Sequence, residues 1–204
     1  MGKTVLISWL LALTAAALGQ PAQMSPAVPP SQTAVLASNG PVVADYGRDV
    51  YPNTVEGHIA KEVRHELLML PWYSLFDDLE FSVQGRTVTL SGTLTSEHAI
   101  TKSEAEATVK HIEGVDKVIN NIKVLPPSPL DQEVREKVYR AISNTASLSR
   151  YFWQAAPAIH IIVDGQRVTL KGYVNNEADK NLATIAANGV PDVFQVTNEL
   201  RVVK

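Results

Sequence analysis

The chain has 204 residues, 45% of them apolar, no cysteine and a formal net charge of -3. The missing cysteine excludes disulfides, thiolate nucleophiles, zinc–thiolate sites and a lipid-modified N-terminal cysteine. The slightly acidic balance supplies no basic surface for nucleic acid, and the length holds one domain or two small ones.

Residues 1–19 read as an export signal. Lys3 makes a positive start, residues 5–18 are an apolar run, and Ala17 and Gly19 set small residues where a signal peptidase cuts. The run is shorter than the roughly 20 residues of a spanning helix. A retained N-terminal anchor is the competing reading, and both place the rest outside the cytoplasm. Residues 20–52 follow as a disordered linker, with Pro21, Pro26, Pro29, Pro30 and Pro41 among Ser, Ala, Gln and Val.

The next unit spans residues 53–126. Asn53 is the expected helix cap, with Glu56 completing a capping box. Val55, Ile59, Val63 and Leu67 then fall four apart as one helical stripe, which Pro71 ends. Leu79, Phe81 and Val83 alternate with polar residues as a strand, Gln84-Gly85-Arg86 turns the chain, and Val88 and Leu90 form a second strand. Gly92 marks a place where a side chain would collide with a neighbouring element. Ser96 is the expected cap of a second helix whose apolar side is Ile100, Ala107, Val109 and Ile112. Gly114 ends it, and Val118, Asn120, Ile122 and Val124 make a third strand.

Residues 127–204 repeat this order. Ser128, Pro129 and Asp131 open a helix carrying Val134, Val138 and Ile142. Ile159, Ile161 and Val163 form a strand, Asp164-Gly165 is the expected hairpin turn, and Val168 and Leu170 return. Asn176 caps a helix holding Ala178, Leu182, Ile185 and Ala186, and Val196, Asn198, Leu200 and Val202 close the chain. The internal match is direct, since Val88-Thr89-Leu90 recurs as Val168-Thr169-Leu170 and Gly92 as Gly172, both at a shift of 80. The expected fold is therefore α+β: two tandem small domains, each α-β-β-α-β, with a three-stranded mixed sheet packed on two helices.

The motif Gly-x-x-Val-x-Leu-x-Gly, a helix, then Gly-Val-x-x-Val-x-Asn-x-Leu/Ile-x-Val resembles the BON domain (bacterial osmotic-stress and nodulation domain). The first copy carries Gly85, Val88, Leu90, Gly92, Gly114, Val115, Val118, Asn120, Ile122 and Val124. The second carries Gly165, Val168, Leu170, Gly172, Val193, Val196, Asn198, Leu200 and Val202, with Asp192 in place of a glycine. The resemblance implies a periplasmic or secreted, non-enzymatic module tied to envelope stress and to phospholipid or protein binding, with no cofactor.

The motif residues Gly85, Gly92, Gly114, Asn120, Gly165, Gly172 and Asn198 read as scaffold, the two asparagines tying their strands to a neighbouring loop. Aromatic clusters are the candidate contact residues for lipid or a partner: Trp72 and Tyr73 in the first copy, Tyr151, Phe152 and Trp153 in the second, with Arg150 and Arg140 beside the latter to attract anionic lipid. The competing reading has these aromatics plugging the ends of two small cores. His58, His65, His98, His111 and His160 have no pair three or four apart, so no metal site is expected. Asp77-Asp78 reads as a solvated turn. No nucleophile elbow, phosphate loop or dinucleotide fingerprint occurs, and no catalytic residue is assigned. The expected role is contact with a phospholipid membrane surface; a periplasmic protein–protein adaptor or chaperone-like stress protein is the alternative.

Overall fold

Thr54, extended at φ -127°, caps the first helix by accepting the Gly57 amide at 3.1 Å. It replaces Asn53 as the cap because the helix, α1 (Val55–Leu68), starts one residue later. Ile59, Val63 and Leu67 are buried as expected, while Val55 in the open first turn is exposed. The structure, a computed structural model, describes residues 42–43, 51–153 and 157–203. The expected signal peptide and most of the expected linker lie outside the described residues.

The hairpin is β2 (Asp78–Gln84) with β3 (Thr87–Leu94), antiparallel, with Phe81 opposite Leu90. Within the stretch expected to be linker, β1 (Val42–Val43) pairs antiparallel with the outer edge of β2. After β3 the chain differs from expectation. Ser96–His98 form a short 3-10 turn, and α2 (Thr101–Lys110) begins five residues after the expected cap, with no side-chain cap of its own. That delay rotates the helix. Thr101, Ala105 and Val109 face the core, and Ile100 and Ala107 point outward. The third strand is broken into β4 (Lys117–Asn120) and β5 (Lys123–Val124), both parallel to β3.

The second copy follows the same plan. Ser128 caps α3 (Pro129–Ser143) by accepting the Asp131 amide. Its hairpin is β6 (Ile159–Asp164) with β7 (Arg167–Val174). The turn sits one residue beyond Asp164-Gly165, at Gly165 and Gln166, with φ of 59° and 61°. Both carboxylate oxygens of Asp131 hold it, accepting the amides of Gly165 and Gln166 at 3.1 and 2.7 Å. Asn176 caps α4 (Glu177–Asn188), which buries Asp179, Ala183 and Ala187. Ala178 and Ile185 point to solvent, and Leu182 and Ala186 lie at the core's margin. β8 (Gln195–Asn198) and β9 (Arg201–Val202) are parallel to β7. Asp192 adopts φ 70°, the conformation of the motif glycine it replaces, and pairs with Lys137 at 3.0 Å.

The break in the third strand has one cause in both copies. Asn120 donates to the Lys102 carbonyl at 2.8 Å and its oxygen accepts the Ile122 amide at 3.2 Å. Asn198 donates to the Lys180 carbonyl at 2.8 Å and accepts the Leu200 amide at 2.9 Å. Each asparagine thus ties strand to helix, where a loop was expected. Each also satisfies the amide freed by the kink that sends Ile122 or Leu200 into the core.

Candidate functional site

Each copy has its own core. One joins Ile59, Val63, Phe81, Leu90 and Val109; the other joins Val138, Ile142, Ile161, Leu170 and Leu200. The two copies belong to one compact unit, and the segment between α1 and β2 reaches from the first copy into the second. Leu75 and Phe76 pack against the second core. The Leu75 carbonyl accepts the Ile161 amide at 2.8 Å, so the outer edge of β6 is capped by the first copy.

Behind that contact lies a buried polar joint. His160 sits on the face of β6 turned away from its own core and is 3% exposed. Its ring stacks on Tyr73 at 5.4 Å between centroids, and its Nδ1 lies 2.7 Å from the Asp77 carbonyl oxygen. Lys171 on β7 reaches Asp78 at 2.7 Å and Glu80 at 3.0 Å. Burial alone would lower the Lys171 pKa; the two carboxylates outweigh it and hold the ammonium above its ordinary value. Phe76, Tyr139 and Phe152 continue the joint edge to face, with centroid distances of 6.5 and 5.4 Å.

Asp77 and Asp78 are therefore not a solvated turn: both are buried. The Asp77 carboxylate accepts from the Ser74 amide and hydroxyl at 3.1 and 2.8 Å and from the Thr95 amide and hydroxyl at 2.9 and 3.2 Å. His98 Nδ1 completes the set at 2.5 Å from Oδ2. Ser74 and His98 meet on the same carboxylate oxygen, so the hydroxyl stands on the acid's side of the imidazole and not at its far nitrogen. That arrangement organises a loop and sets up no proton relay to a nucleophile.

Burial is the largest influence on His160 and holds its pKa below the ordinary imidazole value; the Asp78 and Asp77 carboxylates and the backbone carbonyls of Asp77 and Ser74 offset this only in part. Once the joint is undone the ring titrates near its free value of about 6.5. Between those two values the released ring holds a proton that the buried ring does not. The neutral ring's contribution is therefore complete above pH ~6.5 and is lost as pH falls through the window below it. Urea midpoints between pH 7.5 and 5 should fall more for the native chain than for His160→Gln; equal slopes would show that His160 does not titrate in this way.

The predicted contact residues divide into two groups. Trp72 and Trp153 point outward, 55% and 79% exposed. Met69, 68% exposed, and the half-exposed Leu68 stand with Trp72 at the C-terminal end of α1. The others are engaged within the fold. Tyr73 stacks in the joint and Phe152 packs on the second core. Tyr151 is buried, donating to Asp179 at 2.6 Å and accepting the Asn175 amide at 2.9 Å. Arg150 is bound to Asp179, and Arg140 pairs with Glu136 at 3.3 Å on the surface of α3. Sequence pattern missed His160, Lys171 and Leu75, because alternation puts the first two on a strand's outer face and cannot say what covers it. The adjacent acids Asp77-Asp78 were the visible trace of the joint.

The family model of the BON domain matches residues 56–126 and again residues 130–204. This chain belongs to the BON domain family. Among solved structures, the C-terminal domain of CdsD, the structural protein of the type III secretion system of Chlamydia trachomatis, is 17% identical. It covers 70% of this chain and 96% of that one, with a TM-score of 0.23. A second structure of CdsD is 14% identical over 72% and 92%, with a TM-score of 0.25. At those scores neither likeness carries an argument. No curated protein matches the chain.

Proposed function

We propose that this BON protein is an exported, non-enzymatic module of the bacterial envelope, related to envelope or osmotic stress, that contacts a phospholipid surface through Trp72 and Trp153. In this reading residues 1–19 direct export and residues 20–52 tether the two copies. The outward indoles carry the proposal. A Trp with an apolar body and a polar N–H is suited to the headgroup boundary, and Trp72 brings Met69 and Leu68 with it. The arginines contribute little, since Arg150 and Arg140 already face carboxylates.

Co-sedimentation with vesicles of phosphatidylglycerol and of phosphatidylcholine tests this. Partial transfer of one indole is worth a fraction of the 1.5–3 kcal/mol for burying a large apolar side chain. Trp153→Ala or Trp72→Ala should therefore weaken vesicle binding roughly tenfold, and the double variant should abolish it. Binding that survives the double variant would remove the indoles from the contact. A folded native chain that ignores both vesicles would favour the protein–protein adaptor.

A further inference from the structure

Residues 72–77 belong to the first copy, and the second copy holds them largely by His160. Tyr73 stacks on its ring, and its Nδ1 lies 2.7 Å from the Asp77 carbonyl oxygen. The same segment gives the Leu75 carbonyl to the Ile161 amide and lays Leu75 and Phe76 on the second core. The segment also has a shape of its own. Ser74 and Thr95 bind the Asp77 carboxylate within the first copy, so the turn stands without β6. What fastens it to β6 is a short row of contacts, two of them made by His160.

That ring is placed where a proton is badly received. It is buried, and it pairs in the ladder with Lys171, so a charged imidazole would stand directly opposite an ammonium. Lys171 already engages Asp78 and Glu80, with Glu199 at 3.9 Å and Arg201 lining the same cleft. The Asp77 carboxylate is taken up by Ser74, Thr95 and His98. Asp78 and Asp77 attract a proton to His160, but both are already shared, and burial outweighs them.

We propose that His160 is an acid-released latch on segment 72–77. Protonation parts the segment from β6 while the first copy stays folded. The closed form is complete above pH ~6.5 and yields as pH falls below it. Tyr73, Leu75 and Phe76, half-buried in the closed form, then uncover the faces they hold against the second copy, beside the outward Trp72. Under the membrane reading above, on which this last step rests, the opened segment offers lipid further apolar surface, and binding tightens in acid.

Amide hydrogen exchange on the full chain at pH 7.5 and 5, corrected for the intrinsic rate, tests the latch without lipid. Protection of Ile161, whose amide the segment holds, should fall roughly tenfold or more at pH 5 while β3 keeps its protection. His160→Gln should remove the difference, and His98→Gln should leave it. His160→Phe keeps a neutral ring against Tyr73 and serves if the glutamine variant fails to fold. On phosphatidylcholine vesicles, whose headgroup does not titrate in this range, the native chain should bind roughly tenfold tighter at pH 5, and His160→Gln equally at both. A fall in Ile161 protection with no vesicle binding at either pH would keep the latch and discard the lipid reading. Unchanged Ile161 protection, a fall shared by His160→Gln, or one that spreads over β3 overturns the latch.

Discussion

Gly172→Ala should unfold the second copy, and Gly92→Ala the first. Both glycines sit in the returning strand of a hairpin, at φ of 108° and 110°, where an L side chain is strained. A Cβ on Gly172 would lie 2.0 Å from the Ala158 carbonyl oxygen, and one on Gly92 would lie 2.2 Å from that of Asp78. Neither obstacle can swing away, because both are backbone. The Ala158 oxygen also accepts the Tyr173 amide at 2.9 Å, so moving it costs a further bond. Strain of about 1–3 kcal/mol joined to a forced shift of two strands comes to roughly 4 kcal/mol or more, within reach of the whole stability of a small domain. Melting should fall by at least ~16 °C, at 4–8 °C for each kcal/mol in a domain this small. Circular dichroism during heating would register it, and a variant melting within a few degrees of the native chain would refute the close approach.

Asp77→Ala should cost about 2–4 kcal/mol, because it leaves buried amide and hydroxyl donors without an acceptor, at about 1–3 kcal/mol for each such group. The residue is fully buried, and its carboxylate gathers both donors of Ser74, both of Thr95 and the ring of His98. Without it the buried Thr95 amide has no acceptor and no route to water. The effect should pass beyond the first copy, since the Asp77 carbonyl is held against His160 and Asp78 against Lys171. Limited proteolysis should cut between α1 and β2 sooner in Asp77→Ala than in Asp77→Asn, which keeps the shape and one acceptor oxygen. Equal urea midpoints for Asp77→Ala and the native chain would show that the cluster stabilises nothing.

Much of this molecule could be read from residue order. The repeat gave two copies, and alternation in residues 79–83 and 159–163 gave the strands that β2 and β6 became. Ser128-Pro129 and Asn176 placed helix starts that the caps reproduce, because a cap is a bond between neighbours three residues apart. The motif glycines and asparagines pointed to backbone needs that are local as well.

What failed was decided at longer range or by small shifts in phase. α2 was expected from Ser96, and a 3-10 turn delayed it and rotated its apolar side away from Ile100. The hairpin turn moved one residue, onto Gly165 and Gln166, because Asp131 binds both amides from another element.

Whether an aromatic or an acid is buried was never a property of its neighbours in sequence. Trp72 and Tyr73 are adjacent, yet one faces water and the other stacks in the joint. Asp77-Asp78 looks solvated until the second copy brings His160 and Lys171 against it. The sequence by itself determined the repeat, the family and the order of elements, since these rest on periodicity and on bonds within a few residues. Only the tertiary structure decided the joint and the outward indoles. Those depend on which faces meet, and pairing of faces far apart in the chain leaves no period to read.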